Sequence, residues 1–162
     1  SRLAEARMKK LYDAVSKTWD TTTNEGQLEA RYNQGEVLSA RHILIAAPQQ
    51  GLSTAARDSI RRVAEGVRRQ VTAANFADMA KKYSMDPGSK DKGGLYEAFP
   101  RGMMVGEFEK ALVALPPGGI SGLVQTDFGY HIIYRPKFAE VRDPVRAALS
   151  GRQGQVAEST YM

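Results

Sequence analysis

Hydrophobic and polar positions alternate over residues 37–46, and this two-residue period predicts a β-strand. The alternation places His42 and Leu44 on one face of the strand and Ile43 and Ile45 on the other. Branched aliphatic residues directly follow the histidine, which favours a strand. We therefore expect a histidine within an apolar strand.

A second strand-like run, YHIIYRP at residues 130–136, contains His131, and these are the only 2 histidines of the chain. The segment TDFG precedes this run and predicts a tight turn, so that YHIIYRP pairs with ISGLVQ at residues 120–125 as a β-hairpin. LYEAF, at residues 95–99, is predicted to form a further short strand.

Apolar residues recur at three- and four-residue steps in the remaining segments, which predicts helices. The order of a strand, several helices and a closing hairpin indicates an α+β domain built around a small sheet. The predicted helices are Leu3–Trp19, Thr54–Val71, a helix that begins after an Asn75 cap, residues 105–115 and a short helix near Pro144–Leu149.

The segments between these elements predict how the chain is organised. Residues 20–36 are polar and are predicted to be a linker, and the end of the chain is predicted to be frayed. We therefore divide the chain into an N-terminal helix with its linker (1–36), a central domain (37–138) and a C-terminal tail (139–162). Because the chain starts with Ser1, we interpret it as part of a longer or processed protein.

Composition excludes several classes of function. The chain has no cysteine, which rules out disulfides, thiolate metal sites and thiol nucleophiles. Its net charge of +5 raises the possibility of a polyanion ligand, but the arginines of residues 57–69 lack interleaved aromatic residues that could stack on bases. We therefore interpret them as a solvated helix face and expect no nucleic-acid partner.

The two histidines leave two structural readings open. A buried imidazole must find hydrogen-bond partners, so they are either two independently satisfied core residues or members of one shared polar centre. With Asp86 they could also make a two-histidine, one-carboxylate metal site, but no local metal motif supports this. No GxSxG nucleophile elbow and no phosphate-binding loop is present.

Three sequence blocks, in order, resemble the parvulin family of peptidyl-prolyl cis/trans isomerases, especially bacterial extracytoplasmic foldases of the SurA and PrsA type. The blocks are HILI (42–45), FADMAKKYSMDPGSKDKGG (76–94) and FPRGMMVGEFEKALVALPPGGISGLVQTDFGYHII (99–133). The resemblance implies a four-stranded antiparallel sheet surrounded by helices, to which the N-terminal helix of this chain is an addition.

The resemblance also implies a polar network at the centre of the sheet. His42 and His131 match the histidines of the first and last strands. Asp86 matches a position where parvulins carry Cys or Asp, and Thr126 matches a hydroxyl that joins the network. The resemblance therefore implies one shared centre with these four residues as the catalytic group.

A substrate pocket is implied beside that network. Met104 and Phe108 match its apolar floor, and Phe128 matches the residue that closes its side. Parvulins usually read GG-D-L-G-x-F at its rim, whereas here Tyr96 replaces an apolar pocket residue and Glu97 replaces a glycine. Tyr96 is thus expected either to line the pocket or to pack outward from its strand.

The implied function is cofactor-free isomerisation of Xaa-Pro bonds that assists the folding of exported proteins, without a requirement for phosphate. The partners would be unfolded or nascent proline-containing polypeptides, together with further chaperone segments of the same full-length chain. The location would be extracytoplasmic, either periplasmic or anchored to the membrane and facing the periplasm. The alternative is a parvulin-shaped chaperone or peptide-binding module with little or no turnover.

Overall fold

A four-stranded antiparallel sheet forms the centre of the protein, for which a computed structural model describes residues 24–150. In spatial order the strands run β2, β1, β4, β3, so the first and last long strands are neighbours in the middle. This confirms the expected α+β fold. The strand bounds are β1 (Leu38–Ala46), β2 (Leu95–Phe99), β3 (Val124–Thr126) and β4 (Gly129–Tyr134).

Helices surround this sheet. They are α1 (Asn24–Asn33), α2 (Thr54–Gln70), α3 (Phe76–Tyr83), α4 (Gly106–Ala114) and α5 (142–150), with short 3₁₀ turns at Lys90–Lys92 and Phe138–Glu140. The helix expected near the end of the chain is thus confirmed as α5, whereas the helix predicted for residues 3–19 lies outside the described residues. Within residues 24–150, none of the helices is both long and apolar enough to cross a membrane.

The two faces of the sheet are covered by different helices, as the alternation along the strands predicts. Ile43 and Ile132 lie in a core with side chains of α2 and α3. On the opposite face, Leu38 and Ile133 pack with Leu112 of α4. The histidines of β1 and β4 share this second face, so α4 is the helix that lies nearest to them.

The prediction of a polar linker before the first strand is wrong for α1. This helix contains few apolar residues, but Leu28 and Tyr32 lie one turn apart and are fully buried. They pack with Val145 and Leu149 of α5 in a third core. The helix is therefore stabilised by tertiary packing more than by its own sequence pattern.

Arg135 connects α1 to the sheet and to α4. Its buried guanidinium donates hydrogen bonds to the backbone oxygens of Tyr32 (3.2 Å) and Asn33 (3.0 Å) and to the oxygen of Leu115 (2.7 Å). These carbonyls lie at the C-terminal ends of two helices, where a positive charge is favourable. The hydroxyl of Tyr32 donates in turn to the oxygen of Pro136 at 2.5 Å.

Candidate active site

The register of the two central strands brings the histidines together. His42 lies opposite Ile133 and His131 lies opposite Leu44, so the two imidazoles are diagonal neighbours on one face of the sheet. Their Nδ1 atoms are 3.1 Å apart, and the residues are only 5% and 4% exposed. Of the two readings that the sequence left open, the single shared centre is correct.

Asp86 reaches His42 because strand β2 covers only part of the edge of β1. The pairing of these strands ends at Arg41, and the next segment of that edge is occupied by residues 84–85. There the amide of Met85 donates to the oxygen of Leu44 at 2.7 Å. The carboxylate that follows is thereby placed with its Oδ2 atom 2.7 Å from Nε2 of His42.

Thr126 reaches His131 through the tight hairpin between β3 and β4. Its Oγ1 lies 2.7 Å from Nε2 of His131 and accepts a hydrogen bond from the amide of Phe128 at 3.2 Å. The turn closes against β1 at Gly129, which has φ 137°, and a Cβ atom there would lie 2.3 Å from the oxygen of Ile45. Only glycine fits this approach, so the hairpin and the position of Thr126 depend on it.

The carboxylate of Asp86 is strongly held in its charged form. Burial raises its pKa, but hydrogen bonds from Tyr96, His42, Ser89 and the amide of Gly88 outweigh burial and bring the pKa to about 2. At neutral pH this side chain is therefore only an acceptor. Nε2 of His42 must carry the proton that lies between the two groups.

The charged carboxylate fixes the direction of every other hydrogen bond in the network. Burial lowers the pKa of His42, and burial with the neighbouring His42 lowers the pKa of His131 to about 4, so both rings are neutral at pH 7. With its proton on Nε2, His42 accepts at Nδ1 from Nδ1–H of His131. Nε2 of His131 then accepts from the hydroxyl of Thr126, and one oriented chain runs from Thr126 to Asp86.

An apolar cavity of about 440 Å³ opens beside this network. Phe108 on α4 presents its ring at nearly right angles to His42 (85°, 5.3 Å between centroids) and to His131 (80°, 5.5 Å). At the mouth, Met103 and Phe128 are 64% and 59% exposed, which is unusual for large apolar side chains. The lining residues are His42, Leu44, Asp86, Tyr96, Met103, Met104, Val105, Phe108, Phe128 and His131.

The rim of the cavity departs from the family pattern in a way that the structure explains. Tyr96 was expected either to line the pocket or to pack outward from its strand, and in the structure it lines the cavity. Glu97 is exposed and does not take up a glycine-like conformation. The left-handed backbone falls instead on Ala98, with φ 51°, the one non-glycine residue of the described chain with a positive φ.

The structure brings together all eight site residues that were expected from the sequence, and it places further residues beside them. Leu44, Met103 and Val105 also line the cavity, and Ser89 donates to Asp86. Strand alternation could have added Leu44, since it shares a face with the first histidine. Within residues 24–150, no group of three or more histidine and acidic side chains is arranged to hold a metal ion.

The fold and the site together define a class of protein. The resemblance to parvulins implies a four-stranded antiparallel sheet with a shared histidine network beside an apolar pocket, and the structure has this arrangement, with the strands in the order β2, β1, β4, β3. The model of the PPIC-type PPIase (rotamase) domain family matches residues 42–137. The chain belongs to this family, and its domain is of the peptidyl-prolyl cis-trans isomerase class.

Individual relatives agree with this assignment. The chain is 35% identical over 155 residues to the foldase protein PrsA of Caldanaerobacter subterraneus subsp. tengcongensis, covering 89% of this chain and 46% of the relative. It is 45% identical over 93 residues to the chaperone SurA of Chromobacterium violaceum, covering 57% of this chain and 21% of that protein. The crystal structure of the peptidylprolyl isomerase PrsA from Bacillus anthracis matches with a TM-score of 0.52 and 29% identity, covering 84% of this chain and 59% of that one. The chain thus spans about half the length of the PrsA relative that it matches.

Proposed function

We propose that this protein catalyses rotation about Xaa-Pro bonds in unfolded polypeptides, with His42, Asp86, Thr126 and His131 as the catalytic group. The observation that carries the proposal is the oriented hydrogen-bond chain that lies under the apolar cavity. The proline ring would occupy that cavity. Its walls would be formed by Met104, Phe108, Phe128 and Tyr96.

The reaction requires no bond to break, so the protein has to stabilise only the twisted amide. Rotation crosses a barrier of roughly 18–20 kcal/mol, because amide resonance is lost at the midpoint. A cavity that holds the ring lowers this barrier only as far as it binds the twisted form more tightly than both planar forms. Fixed dipoles of the His42–His131 pair would act on the carbonyl and the imide nitrogen without reorganising during the reaction.

The proposed setting is the folding of exported proteins outside the cytoplasm. Support comes from the relatives named foldase protein PrsA and chaperone SurA. We assign the isomerase unit to residues 37–138 and the flanking segments to a chaperone part of a longer chain. The exposed apolar mouth at Met103 and Phe128 suits neutral or apolar residues beside the proline of an unfolded client.

The proposal includes independence from phosphate. Within residues 24–150, neither lysine nor arginine lines the cavity, and one of its lining residues is the negatively charged Asp86. Arg57 is the only basic residue in the sequence of residues 47–60, which follow β1. Its guanidinium donates hydrogen bonds to the backbone oxygens of Pro48 (2.7 Å) and Gln49 (3.0 Å). A phosphate before proline would therefore meet no charge-assisted donor in the cavity.

The test compares turnover of matched peptides with Leu, Glu or phosphoserine before proline, by exchange NMR at equilibrium. We expect the leucine peptide to be turned over fastest. A preference for phosphoserine of tenfold or more, about 1.4 kcal/mol, would contradict phosphate independence. Binding of all three peptides without accelerated exchange would favour the alternative, a binding module with little turnover.

A further inference from the structure

The hydroxyl of Tyr96 shares an acceptor with the catalytic network. It donates to Oδ2 of Asp86 at 2.6 Å, and the same oxygen accepts from Nε2 of His42 at 2.7 Å and from the hydroxyl of Ser89 at 2.8 Å. Three donors from three separate segments thus converge on one carboxylate oxygen. Removing one of these donors raises the pKa of Asp86 and allows its carboxylate to reorient. This carboxylate is the group that fixes the tautomer of His42.

The position of the Tyr96 hydroxyl is closely defined by its surroundings. Its ring lines the cavity and lies 5.6 Å from the ring of His42. A Cβ atom on Gly88 would approach the hydroxyl to 2.8 Å, so the loop leaves just enough room for it. Burial and the neighbouring Asp86 raise the pKa of Tyr96, so the phenol is a donor across the whole neutral range.

We propose that Tyr96 is a positioning residue of the isomerase: its hydroxyl orients the charged Asp86, and through Asp86 it positions the imidazoles of His42 and His131. Its effect on the rate rests on the proposed function, whereas its effect on the carboxylate and the imidazoles does not. The titratable groups that act on Asp86 are His42 from β1 and Tyr96 from β2, and the charge of Asp86 acts in turn on His131 from β4. The hydroxyl thus takes part in the site in addition to the ring that lines the cavity.

The experiment replaces Tyr96 by Phe, which keeps the ring and removes only the hydroxyl. Carbon-detected NMR titration reports the ionisation of Asp86, and nitrogen shifts of the imidazoles report their tautomers and hydrogen bonds. We expect the pKa of Asp86 to rise by roughly one pH unit, a tenfold change in its ionisation equilibrium. Asp86 would still be charged at pH 7, so we expect the tautomer of His42 to be kept and the nitrogen shifts of its imidazole to change as the carboxylate reorients.

The matched control is Tyr134→Phe, because the hydroxyl of Tyr134 also donates to a carboxylate oxygen at 2.6 Å, that of Glu140, outside the cavity. This control should leave Asp86 and the imidazoles unchanged. For the rate, we expect Tyr96→Phe to lower kcat by about fivefold or more and to change KM by less than about twofold. Tyr96→Leu, which restores the usual family residue type, provides a second variant without the hydroxyl.

The outcomes separate the two proposals. If the wild-type protein has no isomerase activity but the Asp86 titration moves in Tyr96→Phe, the proposed function fails and the positioning role stands. If the wild-type protein is active but neither the pKa of Asp86 nor the imidazole nitrogen shifts change in either Tyr96 variant, the positioning role is wrong. The same conclusion follows if Tyr134→Phe moves them equally.

Discussion

Phe108 offers the sharpest test of whether the cavity floor contributes to catalysis. The side chain is buried, and its ring edge contacts both imidazoles of the network. Each such aromatic contact contributes about 1 kcal/mol beyond its buried area. These contacts are present in the free protein, so they stabilise the fold. Replacing Phe108 by Ala also removes the cavity floor on which the proline ring would pack, so we expect kcat/KM to fall by about 30-fold, which corresponds to roughly 2 kcal/mol of lost apolar contact.

The same substitution also destabilises the fold, so a matched control is needed. Phe108→Ala in a close-packed core costs about 3–5 kcal/mol, and Leu112→Ala costs about 2–5 kcal/mol. Leu112 lies one turn further along α4 and in the same core, but it does not line the cavity. Lys110 on this helix is exposed, as the helical spacing predicts, and Lys110→Ala should alter neither property.

The assay follows exchange in a leucine-proline peptide at low temperature, with urea unfolding of each variant to correct for the unfolded fraction. After this correction, Leu112→Ala should retain kcat/KM within about twofold of the wild type. If Leu112→Ala and Phe108→Ala lose the same activity, the loss arises from general destabilisation. The floor would then have no specific role in the reaction.

Two further predictions concern stability. The pKa of His131 is lowered from 6.5 to about 4, so the unfolded state binds more protons between these values and stability must fall as the pH decreases through that range. We expect urea unfolding at pH 4.5 to give a free energy about 2 kcal/mol lower than at pH 7, and an unchanged value would mean that His131 titrates normally. Arg135→Met removes the donor that serves the ends of two helices, and should lower the free energy of unfolding by about 3 kcal/mol. A loss below about 1 kcal/mol in the same measurement would show that water replaces the guanidinium.

The sequence predicted the strands well because their pattern follows directly from burial. His42 and His131 lie in strands whose alternation assigns their faces, and the family resemblance placed Asp86 and Thr126 beside them. Helix α1 was missed because most of its residues are polar, and its stability comes from partners more than 100 residues away in sequence. No local pattern encodes such packing.

The hydrogen bond between Tyr96 and Asp86 was also beyond sequence reasoning. The pattern showed that Tyr96 departs from the family, but its direction depends on the backbone of β2. The unusual conformation at Ala98, one residue after the Glu97 that replaces a family glycine, belongs to the same strand. Whether the hydroxyl meets a carboxylate or solvent depends on such local detail.

Strand β2 packs against the flanking helices as well as against the site. Its residues are divided between two cores: Tyr96 packs on the side of α4 and the cavity, whereas Leu95 and Ala98 pack with the core formed by α1 and α5. The family match begins at residue 42 and ends at residue 137, so α1 and α5 lie outside it. Their apolar residues nevertheless cover the back of the strand that positions Tyr96. The geometry around Asp86 therefore depends on segments on both sides of residues 42–137, and α1 and α5 support the strand that carries the Tyr96 hydroxyl from outside the range that the family model matches.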